Sequence, residues 1–323
     1  MSGFTITGGV SLSGGFTFTE APAPATPENT AAWFGGGKYP NASRVDRITF
    51  ATDTATASVR GPLNTSGMDR YALAAAGNTT DGWFFGGRYM SDNSSVSRIT
   101  YATDTATASA RGPLPATNRN LAAAGNTTNG WLGGGRAGGS PPGNSAVVST
   151  VNRITYATDT DALSARGPLS SVRYQLAAAG NTDYAWFGGG RPQAQPVGST
   201  VDRITFATDT DTASVRGPLS RSVSVLGAAG NTTDGWFGGG PVSTVDRITY
   251  ATDTATASVR GPLDAVRYAA AAAGNTTDSW WGGDYSGTST VARITYATDT
   301  ATASVRGPFS SAKRWMAAAG GIQ

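Results

Sequence analysis

The feature that most constrains the fold of this chain is a tripeptide, Gly-Pro-Leu or Gly-Pro-Phe, that recurs six times at intervals of 44 to 55 residues. Its glycines are Gly61, Gly112, Gly167, Gly217, Gly261 and Gly307. Each copy ends a unit whose full form reads AAAGNTTDGWFGGG, a variable stretch, and STVDRITYATDTATASVRGPL. A chain that repeats itself in this way is expected to fold as an array of similar units.

Each unit contains four short segments that predict β-strands, which we call A to D in chain order. Segment A is an Ala-rich run ending in Gly-Asn, B is Trp-Phe-Gly-Gly-Gly, C is Val-Asp-Arg-Ile-Thr-Tyr and D is Thr-Ala-Ser-Val-Arg. Short β-branched and aromatic runs bounded by Gly, Asn and Asp indicate strands joined as hairpins. One small four-stranded sheet cannot cover both of its own faces, so we expect the sheets to stack radially as the blades of a β-propeller.

The two ends of the repeat region complement each other. Residues 31–37 (AAWFGGG) begin with segment B, and residues 314–323 (RWMAAAGGIQ) end with segment A. Pairing of the two would complete the first blade and remove an open sheet edge. We therefore predict an all-β, six-bladed β-propeller over residues 31–323, with four-stranded blades and a ring closed by the N- and C-terminal strands.

The unit resembles the kelch repeat. Segment B ends in Gly-Gly, segment C is aliphatic, and the Pro-Leu element after segment D is followed by Arg and an aromatic residue, with the Arg at Arg70, Arg173 and Arg267. The resemblance covers residues 31–323 and implies a propeller fold without implying an activity. The chain departs from the kelch pattern because its Trp residues, such as Trp33, open segment B and are absent from segment D.

Residues 1–30 differ from the units and form a separate segment. Apolar and hydroxyl residues alternate there in three runs broken by Gly-Gly, which predicts three short strands. The apolar positions are Phe4, Ile6, Val10, Leu12, Phe16 and Phe18. A Pro-rich spacer follows at residues 21–27. Because there is no basic start and no long apolar run, we expect neither a signal peptide nor a membrane span. The segment is either a leader without a partner or an anchoring arm that adds strands to a larger assembly or to sister copies.

This leader prompts a second resemblance. The leader combines a Phe-Thr-Ile-Thr run interrupted by Gly-Gly with a Pro-rich joint, and the whole chain is poor in Lys and Glu, with only Lys38, Lys313, Glu20 and Glu28. In these features the chain resembles the virion proteins of tailed phages, particularly those of marine cyanobacteria. The resemblance implies a non-enzymatic protein on the particle surface, a tail fibre, adhesin or capsid decoration. Its arm would bind other virion proteins, and its propeller would bind host glycan or protein. A purely architectural decoration without a ligand is the alternative.

The composition excludes several kinds of chemistry. The chain has no His and no Cys, which excludes the copper-radical oxidases known on kelch propellers, His-dependent triads, His-ligated zinc, disulfides and thiol catalysis. We expect no cofactor and no metal. A glycan hydrolase with a carboxylate pair stays open as an alternative, because Asp69 and Asp92, and likewise Asp264 and Asp284, fall on neighbouring loops.

Charges that recur once per unit are expected to be structural. One Arg of segment C and one Asp of the C-to-D turn recur in every unit, and Asp in a turn commonly satisfies nearby backbone amides. These residues are Arg47, Arg98, Arg153, Arg203, Arg247 and Arg293, and Asp53, Asp104, Asp159, Asp209, Asp253 and Asp299. Because the net charge is only +3 and the arginines are accompanied by Asp, we expect no nucleic-acid site.

The loops that differ between units are the candidates for recognition. The A-to-B and C-to-D turns are nearly uniform, whereas the B-to-C and D-to-A loops vary and should share one face of the disc. They are rich in aromatic residues and Arg, which are enriched at binding hot spots, although drift in unconstrained loops would also vary them. The candidate contact residues are Tyr39, Arg70, Tyr71, Arg88, Tyr89, Arg119, Arg136, Arg173, Tyr174, Arg191, Arg267, Tyr268, Tyr285 and Trp315.

Overall fold

A computed structural model of the chain describes residues 29–38, 43–63, 70–138, 145–193 and 195–320. Within these ranges the protein is all-β, with 27 short strands and six 3-10 turns of three residues each. No helix of the described residues is long and apolar enough to cross a membrane. The predicted arm strands and Tyr39 lie outside the described residues.

Six four-stranded antiparallel sheets form among the described residues, and each contains one strand from every predicted segment. We number the sheets 1 to 6 by their B strands. The A strands are β27 (Ala317–Ala319), β4 (Ala74–Gly77), β9 (Ala122–Gly125), β15 (Ala177–Gly180), β19 (Leu226–Gly230) and β23 (Ala271–Gly274). The B strands are β1 (Ala31–Gly35), β5 (Asp81–Phe85), β10 (Asn129–Gly133), β16 (Tyr184–Gly188), β20 (Asp234–Gly239) and β24 (Asp278–Gly282).

The two remaining strand types complete each sheet in the order A-B-C-D. The C strands are β2 (Val45–Thr49), β6 (Val96–Thr100), β13 (Val151–Thr155), β17 (Val201–Thr205), β21 (Val245–Thr249) and β25 (Val291–Thr295). The D strands are β3 (Ser58–Arg60), β7 (Ser109–Arg111), β14 (Ser164–Arg166), β18 (Ser214–Arg216), β22 (Ser258–Arg260) and β26 (Ser304–Arg306). The 3-10 turns follow the C strands, at Phe50–Thr52, Tyr101–Thr103, Tyr156–Thr158, Phe206–Thr208, Tyr250–Thr252 and Tyr296–Thr298.

Sheet 1 takes its strands from both ends of the repeat region. Strand β27 pairs antiparallel with β1, with Ala317 opposite Gly35 and Ala319 opposite Trp33. The A strands of consecutive sheets lie beside one another, and their small side chains allow this close approach. Repeated four-stranded antiparallel sheets with neighbouring A strands are compatible with a β-propeller.

Adjacent sheets are joined by one buried carboxylate per sheet. Asp104, in the C-to-D connection of sheet 2, accepts a 2.7 Å hydrogen bond from Trp33 Nε1 of sheet 1. Its Oδ2 also lies 3.2 Å from the Arg47 guanidinium and 3.3 Å from Arg60 Nε, both in sheet 1. The same Trp-to-Asp bond recurs from Trp83 to Asp159, Trp131 to Asp209, Trp186 to Asp253, Trp236 to Asp299 and Trp280 to Asp53. The repeated charges are structural, as predicted, but the carboxylates bind Trp and Arg of the neighbouring sheet.

An aromatic ring from the same connection covers each of these Trp side chains. Tyr101, the first residue of its 3-10 turn, stacks on Trp33 with ring centroids 3.7 Å apart and planes 9° apart. The equivalent rings are Phe50, Tyr156, Phe206, Tyr250 and Tyr296. Burial of the hydroxyl raises the pKa of all four tyrosines above the ordinary value of 10.0.

The glycine of each Gly-Pro element lies where two sheets meet. The Gly61 N–H donates a 2.8 Å hydrogen bond to the carbonyl oxygen of Asp104 in the next sheet. A Cβ at Gly61 would collide with the Ala106 carbonyl oxygen, and the other five glycines of the set meet an equivalent carbonyl. The tripeptide that marks the repeat is thus fixed by contact between sheets.

One small sheet was not predicted. Strands β8 (Asn118–Arg119), β11 (Arg136–Ala137) and β12 (Ala146–Val147) form a three-stranded sheet at the loop end of sheet 3. Strand β8 comes from the D-to-A loop before β9, whereas β11 and β12 come from the long B-to-C loop of that unit, whose sequence has no counterpart in the other units.

Candidate functional site: the variable face

The A-to-B turns lie on one side of the sheets, which we call the uniform face. Asn78 Oδ1 accepts 2.9 Å hydrogen bonds from the N–H groups of Thr80 and Asp81. The same bonds recur at Asn126, Asn181, Asn231 and Asn275. The Asn78 amide also donates to the Thr127 carbonyl oxygen of the next turn, at 3.4 Å. The asparagine side chains of this face therefore form bonds within and between the turns themselves.

The B-to-C and D-to-A loops lie at the opposite strand ends, which we call the variable face. Residues that follow a B strand pair there with residues that precede the A strand of the same sheet. The pairs are Tyr71 with Arg88, Arg119 with Arg136, Tyr174 with Arg191, and Lys38 with Arg314. Six of the predicted contact residues are therefore brought together two by two.

Three of the predicted contact residues are buried. Arg70, Arg173 and Arg267 are at most 3% exposed. Arg173 pairs with Asp202 at 2.7 Å, and Arg267 pairs with Asp264 at 2.8 Å. Arg70 donates instead to a serine hydroxyl and a backbone carbonyl, and burial lowers its pKa to about 10. These side chains hold the D-to-A loops to the strands and are not part of the exposed surface.

The other candidates of the described residues are at least partly exposed. Tyr285 and Tyr89 expose 58% and 37% of their surface, and Arg191 is also exposed. The half-buried candidates are Tyr71, Arg88, Arg119, Arg136, Tyr174, Tyr268 and Trp315. The variable face therefore presents aromatic rings and guanidinium groups to solvent.

Aromatic side chains form a cluster between sheets 6 and 1. The Tyr268 ring meets Tyr285 edge-on with centroids 5.8 Å apart, and meets Trp315 edge-on at 6.3 Å. The Arg314 guanidinium lies 4.6 Å from the Tyr285 ring centroid and donates a 2.8 Å hydrogen bond to the Tyr285 carbonyl oxygen. Sequence analysis selected the three aromatic residues but missed Arg314, which an alignment of the units would place at the same offset as Tyr71.

Six residues before the A strands have an unusual backbone. All are non-glycine residues with φ between 54° and 68°, namely Ala72, Asn120, Gln175, Val225, Ala269 and Trp315. Backbone N–H groups of this set donate to carbonyl oxygens of the same set in five hydrogen bonds of 2.8 to 3.0 Å, in the order Trp315, Ala72, Asn120, Gln175, Val225, Ala269. Of these six residues only Trp315 was selected from the sequence, because the six differ in residue type and share only their position in the unit.

Three of the four aspartates of the hydrolase alternative lie within the described residues, and each of these three is bonded to another side chain. Asp69 lies outside the described residues. Asp92 and Asp264 each form an ion pair with an Arg, and Asp284 accepts a 2.9 Å hydrogen bond from a Thr hydroxyl. The described residues contain no group of three or more His, Cys, Asp or Glu side chains that could hold a metal ion.

No protein-family model matches this chain, and no curated protein is significantly similar to it.

Proposed function

We propose that the six sheets are the blades of one closed propeller formed by residues 31–323, with residues 1–30 as a separate arm. Strand β23 of sheet 6 lies beside β27 of sheet 1, which continues the series of neighbouring A strands. The Trp280 to Asp53 bond joins sheet 6 to sheet 1 as the other Trp-to-Asp bonds join consecutive sheets. Both observations support closure by the N- and C-terminal strands.

The propeller is a binding module without chemistry. The observation that carries this proposal is the contrast between the two faces. Asparagine side chains of the uniform face bond its own turns, whereas the variable face exposes Tyr89, Tyr285 and Arg191 on a rigid scaffold. Aromatic and Arg side chains dominate binding hot spots, and together they suit the rings and acidic groups of glycans.

The module is carried on a virion of a tailed phage. The support is the resemblance of the leader and of the Lys- and Glu-poor composition to such proteins. The arm attaches the protein to other virion proteins, and the variable face points outward to host glycan as in a tail fibre or adhesin.

Binding by the variable face can be tested with the full chain on an array of bacterial surface polysaccharides. The double substitution Arg88→Ala and Tyr89→Ala, or the single substitution Tyr285→Ala, should weaken binding at least about tenfold, because truncation of a hot-spot side chain typically lowers affinity by at least this factor. Thr127→Ala and Thr232→Ala are matched controls, because both residues are exposed on the uniform face. Melting curves must show that all the variants are folded.

Other outcomes would favour the alternatives. If the folded loop variants bind like the parent, or the parent binds no polysaccharide, an architectural decoration becomes the better account. Release of new reducing ends by the parent would instead favour a glycan hydrolase. Labelling of purified particles would separate a tail position from tiling of the head.

A further inference from the structure

The six non-glycine residues of positive φ before the A strands, which we call the left-handed set, keep side chains in a backbone conformation that favours glycine. A left-handed backbone is unfavourable for a residue with a Cβ, and glycine avoids this cost. Among the described residues, glycine occupies 14 other positions of positive φ. The chain nevertheless keeps Val225 and Trp315, types for which this conformation is a true outlier. Strain retained where a simple substitution would relieve it points to a role for the side chains.

Four of these six residues line a cavity on the variable face. The cavity has a volume of about 90 Å³, enough for several waters or for one small group of a larger ligand. It is lined by Ala72, Asn120, Ala269 and Trp315 of the left-handed set, and by the leucine, methionine or alanine that directly follows each member of the set. Gln175 and Val225 belong to the left-handed set but do not line the cavity.

The lining has three chemically distinct parts. The residues after the left-handed set form an apolar floor of leucine, methionine and alanine. Asn120 brings a side-chain amide with both donor and acceptor atoms. Trp315, separated from Asn120 by Ala72 alone in the hydrogen-bonded order, brings an indole that continues into the Tyr268 and Tyr285 cluster.

An acetamido group on a sugar ring matches this combination. Its methyl group requires an apolar floor, its N–H and C=O require an amide partner, and the C–H face of the ring to which it is attached packs on aromatic rings. Small-molecule sites typically combine an apolar lining with a few polar groups of this kind. A hexose without the acetamido group would leave the floor without an apolar partner.

We propose that this cavity binds the acetamido group of an N-acetylhexosamine, with Asn120 bonded to the amide and Trp315 packed against the sugar ring. The inference rests on the proposed function, since it names the glycan class that the variable face recognises. It adds a site at the centre of that face, distinct from Arg88 and Tyr89 in the loops.

Calorimetry with two trisaccharides of the same linkage tests the ligand class. We expect the full chain to bind N,N′,N″-triacetylchitotriose at least about tenfold more tightly than cellotriose, because only the former fills the floor and pairs with Asn120. Equal affinity for the two, or no binding of either at millimolar concentration, would overturn the inference. Polysaccharide binding that depends on Arg88 and Tyr89 but shows no preference for acetylated sugars would remove this inference alone and leave the proposed function standing.

Glycine variants separate the side chains from the backbone. Asn120→Gly and Trp315→Gly should each weaken chitotriose binding at least about tenfold. Gln175→Gly relieves the same strain outside the cavity and should bind like the parent. Asn120→Gly should also melt no lower than the parent, because it relieves a left-handed residue.

The variants also fix what would overturn the assignment. Parent-like binding by folded Asn120→Gly would exclude the amide contact. An equal loss in Gln175→Gly would show that the backbone, and not the lining, controls binding. If Trp315→Gly does not fold, Trp315→Ala gives the same test, with unchanged affinity excluding the ring contact.

Discussion

The Asp104 carboxylate binds Trp and Arg side chains of a neighbouring sheet. One oxygen atom, Oδ2, serves the Trp33 indole, the Arg47 guanidinium and the Arg60 Nε. A buried ion destabilises the fold unless donors surround it, and removing one partner leaves the others without a bond. This one carboxylate therefore satisfies three donor side chains of the neighbouring sheet at once.

Replacing Asp104 with Ala should lower the free energy of unfolding by about 3 kcal/mol, because an indole N–H and two guanidinium groups lose their acceptor. Guanidinium chloride titration followed by circular dichroism measures the change. Asp161→Ala is the control, because Asp161 is exposed and the equivalent residue is alanine in four other units. A loss for Asp104→Ala no larger than for the control would contradict a structural role.

The four buried tyrosines predict unfolding at high pH. Burial raises the pKa of Tyr101, Tyr156, Tyr250 and Tyr296 above 10.0, whereas in the unfolded chain they ionise near 10.0. Above that pH the unfolded state loses protons that the folded state keeps. Stability is therefore intact below pH 10 and falls above it, by up to about 1.4 kcal/mol per pH unit for each tyrosine.

We expect the tyrosinate absorbance of these residues to rise together with the loss of the β signal in one cooperative transition above pH 10. Tyr156→Phe and Tyr296→Phe should move the transition to higher pH, since Phe50 and Phe206 already show that phenylalanine fits this position. Ionisation of these four tyrosines in a chain that stays folded would be the contrary result.

At the scale of elements, β27 covers an edge that would otherwise be open. It pairs with β1 and lies between β23 and β4, the A strands of sheets 6 and 2. Its loss would expose both a row of backbone groups and the apolar residues beneath it.

Deleting residues 314–323 should lower the free energy of unfolding by several kcal/mol, because strand pairing and apolar burial vanish together. Deleting only residues 321–323 is the control, since β27 remains. Thermal melting at the wild-type temperature in the longer deletion would refute the pairing of β27 with β1.

The repeat predicts the strands well because hairpins are local. The A to D segments and the pairing of residues near Trp33 with those near Ala319 follow from sequence alone. The partners of Asp104 did not follow, because they lie 44 to 71 positions away in another unit. Likewise, the sequence placed Tyr71 and Arg88 on one face but could not show that they pair, or that Arg173, beside Tyr174, is buried.

At the scale of the whole molecule, residues 31–320 contain all the strands of the described sheets. We therefore expect residues 1–27 to add little to the stability of these sheets. In the proposed function, the leader serves attachment.

Deleting residues 1–27 should leave the melting temperature unchanged, because no described strand is lost, while abolishing incorporation into particles or self-association. Sedimentation of the purified protein and mass spectrometry of purified particles measure the two effects. Normal assembly of the truncated chain would show that the leader is not an anchor.

The carboxylate joint also bears on how such a gene changes in length. Every unit carries an Asp that receives donors from the unit before it, together with the Trp and two Arg that donate to the unit after it. A unit duplicated or deleted whole thus brings or removes a matched set of donors and acceptor. Recombination between whole copies therefore leaves no carboxylate without its partners. A cut that falls between the Trp and the Asp of one unit combines parts of different copies, and it also restores the same joint.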